Sequence, residues 1–313
     1  MIGSRASFLA ASVGIERALL EPVAISRAPS ERDHNERARV LRNGLAVVEF
    51  ASLESFARRR LGEVLSRLSS SSIPFDDLPE QLRIACVFNA SRAIAYQADL
   101  KRRQGEDFVA FVQTQSEHVA STSSAAYSLC PLSLLWERPN LGAEDLKQAL
   151  GVFGVKDGWG QIDALAKRIS VSSLPHREAF ASAAARRHLA AHSSDADSQW
   201  AHVNDFVQQA RGVAVGLDAL VSAALKFLLN WDAKMLSGNR EVCSGDVGIR
   251  FIDESSDGFW RERDEESGYV FRKSKDLGVV RQDCLSRNSA RDKLVLVRDI
   301  RKYPIAWYTP AVD

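Results

Sequence analysis

The stretch from Gly212 to Trp231, GVAVGLDALVSAALKFLLNW, constrains this chain more than any other, because it must be taken out of water almost whole. A bilayer would do so, but Asp218 and Lys226 would lie ionised within a hydrocarbon layer about 30 Å thick, where charge is costly. A buried helix is the better solution. Extended upstream, the segment from Asp197 to Leu229 places Val203, Phe206, Val207, Ala210, Ala214, Leu217, Val221, Ala224 and Leu228 in a broad apolar stripe. One helix long enough to run the length of a bundle is predicted.

The rest of the chain supplies partners for it. From Glu31 to Leu68, Leu41, Leu45, Val48, Phe56, Leu61, Val64, Leu65 and Leu68 recur largely at three- and four-residue steps, and the pattern stops in the turn-rich SSSSIPFDDLP. Further helices are expected from Pro79 to about Arg103, ended by Gly105, and around Phe108 to His118. ASTSSAAYSLCPLSLL has neither period and reads as a loop holding at most one short element. Beyond Pro139, LGAEDLKQALGVFG, WGQIDALAKRI and PHREAFASAAARRHLAAH read as three helices punctuated by Gly and Pro. After Gly238 the text changes to short β-branched and aromatic runs, VGIRFID, YVFRK and KLVLVRDI, divided by turn residues. The expectation is a mainly α chain: an N-terminal helical extension over residues 1–30, a helical domain over 31–236, and a separable β-rich accessory element over 240–313.

Lys plus Arg is 41 against 40 for Asp plus Glu, a net charge of +1, so the chain has no bulk field for coating nucleic acid constitutively. Cysteines at 86, 130, 243 and 284 are far apart and show no CxxC spacing, which fits reduced thiols and a cytoplasmic location. The opening MIGSRASFLAASVGIERALL reaches Arg17 too soon for a secretory leader and reads as a helix. No membrane partner is expected.

The densest cluster of chemistry-bearing side chains is Arg186, Arg187, His188 and His192 in ARRHLAAH. A guanidinium can neutralise a phosphodiester bidentately, and an imidazole with a pKa of about 6.5 can move a proton near neutrality. Such a pair can cleave RNA without a metal, because the 2′-hydroxyl is an internal nucleophile. Arg187 and His192 are five residues apart, however, about 140° from alignment on an ideal helix. One chain alone does not readily assemble them.

RHLAAH, Arg187 to His192, resembles the motif of the HEPN ribonucleases: an Arg, a polar residue, three further residues and a His. The common form has Asn after the Arg, where this sequence has His188, and it shares Ala191 before the His. GLAVVEFASLESFARR from Gly44 resembles the first long helix of the HEPN group often found beside RiboL-PSP-type proteins and in phage-defence loci. PNLGAEDLKQALGVFGVKDGW is similar to that group's helix and Phe-Gly turn ahead of the motif helix. The resemblance covers roughly residues 35–230, in order. It implies a HEPN-type helical bundle, a homodimer whose motif residues meet in a composite cleft, and endoribonuclease activity without metal or other cofactor. It further implies a place in anti-phage defence, as a toxin or in a stress response, with RNA as substrate and an antidote or regulator protein as a possible partner. His192 would move the proton and Arg187 hold the scissile phosphate, with His188 and Glu54 supporting them and Arg186 contacting RNA. A motif that has decayed would leave a non-catalytic RNA-binding or protein-interaction module.

Plainer readings stand beside these. Basic residues at a helix end complement the carbonyl dipole, and His188 with His192 has the spacing of two metal ligands but lacks an evident third. Arg58, Arg59 and Arg60 read either as a phosphate contact or, with more weight, as a solvated face. Trp260, Tyr269, Phe271, Trp307 and Tyr308 could stack bases, although aromatic residues at strand spacing more often form the core of a small β fold. His34, His118, His176 and His202 belong to no motif and are expected at the surface or satisfied by neighbours.

Overall fold

A computed structural model describes residues 3–171, 175–287 and 292–309. Helices come first: α1 (Ser4–Leu20), α2 (Arg32–Ser69), α3 (Glu80–Ile84), α4 (Ala90–Arg103), α5 (Phe108–Ser121), α6 (Ala143–Val152), α7 (Gly158–Arg168), α8 (His176–His192), α9 (Trp200–Leu229) and α10 (Ala233–Leu236). A π turn, Ala85–Asn89, joins α3 to α4. The sheet region comprises β1 (Gly248–Glu254), β2 (Trp260–Asp264), β3 (Val270–Ser274), α11 (Leu277–Ser286), β4 (Lys293–Arg298) and β5 (Pro304–Tyr308). The chain is mainly α with a small C-terminal sheet, as its periodicity predicts.

Helix α9 is long and apolar enough to span a membrane by length and composition, but most of its apolar stretch is buried inside the bundle. Val213, Leu217, Leu220, Val221 and Leu228 are wholly buried, each stabilising by about 1.5–3 kcal/mol relative to exposure. Close approach of its neighbours explains two glycines in the stretch. A Cβ on Gly216 would lie 3.1 Å from Ile162 of α7, and one on Gly212 would lie 2.5 Å from His176 Nε2 of α8. Alanine at Gly212 would force the buried His176 ring, held by Asp163, to shift.

The sheet order is β3-β2-β1-β4-β5, with β1 and β4 parallel and every other pair antiparallel. A parallel pair needs a crossover, and the chain between β1 and β4 includes β2, β3 and α11. Ile252, Val295 and Val297 pack on Val280 and Cys284 of α11. From the opposite face, Ile249, Phe251, Leu294 and Leu296 join the main core of the bundle, as does Trp307. Trp307 is fully buried, its ring 5.9 Å from Phe56 and 6.3 Å from Phe8. It is core rather than a stacking platform for bases. Tyr269 and Phe271 are the exposed aromatics of the sheet. Segments read in sequence as extension, domain and accessory element thus meet at one cluster.

A buried charge sits at that junction. Asp218, fully inaccessible on α9, accepts from Arg60 Nε at 2.8 Å, Arg5 Nη2 at 3.0 Å and Trp307 Nε1 at 2.7 Å. Burial alone would raise its pKa, but Arg60 and Arg5, aided by the indole, hold the carboxyl below its ordinary value. The solvated face expected for Arg58 to Arg60 is therefore corrected, because Arg60 is 3 % exposed and bonded to Asp218, Glu63 and Thr309. A buried carboxylate needs a paired cation more than the surface needs another arginine.

Candidate functional site at the end of the motif helix

α8 ends at Ser193, whose extended backbone turns the chain away, and side chains of α2 fix the segment from Ser194 to Ser198. Arg39 donates to the Ser194 carbonyl at 2.6 Å, and Asn43 donates to Ala196 O at 2.6 Å while accepting from Ser198 N at 2.9 Å. Arg42, buried, donates to Ser198 O and Asp197 Oδ1, both at 2.7 Å, and to Ala24 O at 3.1 Å. The helix end is a built platform, not a fraying terminus.

On that platform the candidate residues divide into pairs. Arg187 turns inward to α2, where its Nη2 lies 3.9 Å from Glu54 Oε2 and its buried Nε has no hydrogen-bond partner. His188 and His192 face outward, both exposed, with ring centroids 4.8 Å apart and planes tilted by 55°. Among the described residues no hydrogen bond or ion pair joins Arg187 to His192, as the five-residue spacing leads one to expect. No group of three metal-ligating side chains forms among the described residues either, so the two imidazoles gain no third donor from them.

Glu54 is 4 % exposed. Burial raises its pKa, while the Leu141 N–H at 2.6 Å and the charges of Arg58 and Arg187 pull the other way and leave a net rise. Arg58 donates to the carbonyls of Leu135 at 2.9 Å, Arg138 at 2.9 Å and Pro139 at 3.1 Å, and its guanidinium lies 5.4 Å from the Trp136 ring. It anchors the Leu135–Leu141 loop that in turn positions Glu54. Sequence reasoning missed this role, because the loop whose carbonyls Arg58 binds has no period that would place it against α2.

Arg186, expected to contact RNA, lies on a different side of α8 from the histidines. Its guanidinium lies 5.9 Å from the Phe206 ring and Nη2 reaches His202 O at 3.4 Å, so it packs between α8 and α9 rather than beside the histidines. Burial lowers its pKa, opposed by Glu49 and Asp205. His34 and His118 are hydrogen-bonded to Ile25 O and Ser128 Oγ, and His176 is buried against Asp163 at 2.7 Å with its Nε2 unpartnered.

Glu49, one α2 turn before the site, is 3 % exposed and keeps a buried oxygen without a hydrogen-bond partner. Burial drives its pKa well up, and the charges of Arg186 and Arg211 only partly compensate. A carboxyl raised in the fold favours the folded state below its unfolded pKa, and that advantage is lost as pH rises towards the folded value. Glu49→Gln is therefore expected to raise the melting temperature at pH 7, on the order of 2–4 °C, with the gain shrinking towards pH 4. Thermal melts at the two pH values check it, and a gain independent of pH would contradict the assignment.

No family model matches the chain, and the searches of curated proteins and of solved structures likewise return no match.

Proposed function

We propose that the chain is a metal-independent endoribonuclease of the HEPN type that acts as a homodimer in the cytoplasm, in anti-phage defence, as a toxin or in a stress response. The observation that carries the reading is the state of Arg187. It is partly shielded from water, keeps Nε unspent and holds Glu54 at only 3.9 Å, one residue from His188 and on the same helix end as His192. A guanidinium that keeps part of its surface exposed, 19 %, and makes no close ion pair beside exposed imidazoles suits an entering phosphodiester. In the reaction, a 2′-oxygen attacks phosphorus and the bond to the 5′-oxygen breaks. An imidazole removes the 2′-proton, a second imidazole returns a proton to the leaving oxygen, and Arg187 neutralises the charge on the pentacoordinate phosphorus. The products are a 2′,3′-cyclic phosphate and a 5′-hydroxyl.

The division of one chain's residues into an inward Arg and outward His pair is met by a second protomer completing the cleft. α2 and α8 pack together, and they expose Val40, Val48 and Leu189 at 62 %, 54 % and 56 %, apolar area that a partner subunit would cover. Leu189→Glu is expected to yield monomer by light scattering at micromolar concentration and to lose activity with it; a dimer that persists refutes this face. A non-catalytic module that holds RNA or a regulator protein draws on the missing Arg187 to His192 bond. Arg187→Lys separates the two readings, since lysine keeps the charge but not the fork. Cleavage of labelled RNA should fall about a hundredfold with RNA binding retained; unchanged cleavage would remove Arg187 from the mechanism.

A further inference from the structure

A cleft of about 590 Å³ opens between α1, α9 and the turn joining β4 to β5, and it shares no residue with the α8 site. That volume lies within the range of small-molecule sites. Its wall includes Arg17, Asn204 and Asp205, whose side chains make no hydrogen bond or ion pair among the described residues. Arg301 faces the same space, held by Asp299 Oδ2 at 3.0 Å and lying over the Tyr303 ring at 5.0 Å. A carboxylate on the wall, Glu16, would repel an anion, but Arg211 takes both its oxygens at 2.9 and 2.8 Å and Gln208 adds a bond at 2.7 Å.

Each of these polar groups on the wall asks for a different complement. Arg17 and Arg301 offer donors and positive charge, which suit a phosphate. Asp205 offers only acceptors, which suit the paired hydroxyls of a ribose, and Asn204 offers one donor edge and one acceptor edge, which suit a base. We propose that this cleft binds a free ribonucleoside monophosphate, with phosphate on Arg17 and Arg301, ribose on Asp205 and base on Asn204. The assignment does not rest on RNA cleavage at α8.

The test is calorimetric titration of the full chain with AMP, GMP, CMP and UMP, and with adenosine and inorganic phosphate separately. At least one nucleotide should bind one per chain below about 1 mM, and the separate halves should bind at least about tenfold more weakly. Replacing Arg17 and Arg301 together by alanine, both exposed, should weaken binding at least about tenfold, and Asp205→Asn should abolish any preference for the ribose over the deoxyribose form. His192→Ala should leave the isotherm unchanged. No binding by any of the four, binding indifferent to the two arginines, or binding lost in His192→Ala would each overturn the proposal, the last by placing the nucleotide at α8. A 5′-phosphorylated oligoribonucleotide that binds more tightly through the same arginines would overturn the assignment to a free nucleotide.

Discussion

Replacing His192 by alanine is expected to leave the helical circular dichroism signal and the melting temperature of the protein unchanged while RNA cleavage falls by roughly 10²–10⁴-fold, the worth of a positioned proton donor or acceptor. The side chain is exposed and its described contact is the His188 ring at 4.8 Å, so its removal leaves no cavity and no unpaired buried group. His188→Asn, which installs the residue usual at that position in the family the motif resembles, should keep most of the activity if His188 only orients His192. Wild-type cleavage by folded His192→Ala would detach the imidazole from the reaction.

The largest expected effect on stability belongs to Asp218→Ala. It removes the buried carboxylate that Arg60, 3 % exposed, and Arg5 share, leaving Arg60 its bonds to Glu63 and Thr309, a loss of about 3–5 kcal/mol for a broken buried pair. Removal of residues 239–313 has the same consequence by another route, because it takes away Trp307 and Thr309 and uncovers Phe8 and Phe56. The truncated chain is expected to lose cooperative unfolding in urea rather than to persist as a folded helical domain. A truncated protein with a sharp transition and native helicity would show that the sheet is separable after all. Because the carboxyl of Asp218 is held below its unfolded value, its contribution is full above the ordinary carboxylate range and disappears as pH falls through the depressed one. Asp218→Asn should accordingly narrow the stability gap to wild type under strongly acidic conditions.

Helices were legible in the sequence wherever one apolar face met one solvated face. Glu31 to Leu68 and Asp197 to Leu229 announce α2 and α9 within a few residues, since burial against a bundle imposes a 3.6-residue period on them. The short strand Trp260–Asp264 was not legible, because Glu262 is wholly buried yet charged, held by Arg250 at 3.0 Å and by Arg287. Ion pairing there replaces the apolar alternation by which strands are read. The helix Leu277–Ser286 has too little periodicity to stand out from the turns around it. Asp218 shows both sides of the matter. Its position in an apolar run argued against a membrane span, but its partners Arg5, Arg60 and Trp307 lie 213, 158 and 89 residues away, and no local pattern points to them.

The site divides along the same line. Spacing on one helix placed His188 beside His192 and set Arg187 apart from them, and both relations hold in the fold. The nearness of Glu54 to Arg187 came from the resemblance alone, and its support by Leu141 and Arg58 depends on a loop with no period of its own. Arg186 sits next to the motif in sequence, but a helix turns successive residues by 100°, and that angle carries it to Phe206.

The most direct test of the account is to incubate the purified full chain with total RNA in excess EDTA and to map the ends of the fragments. Cleavage that survives chelation and leaves 2′,3′-cyclic phosphates and 5′-hydroxyls is the predicted result. Intact RNA under those conditions, or fragments bearing 5′-phosphates, would contradict it.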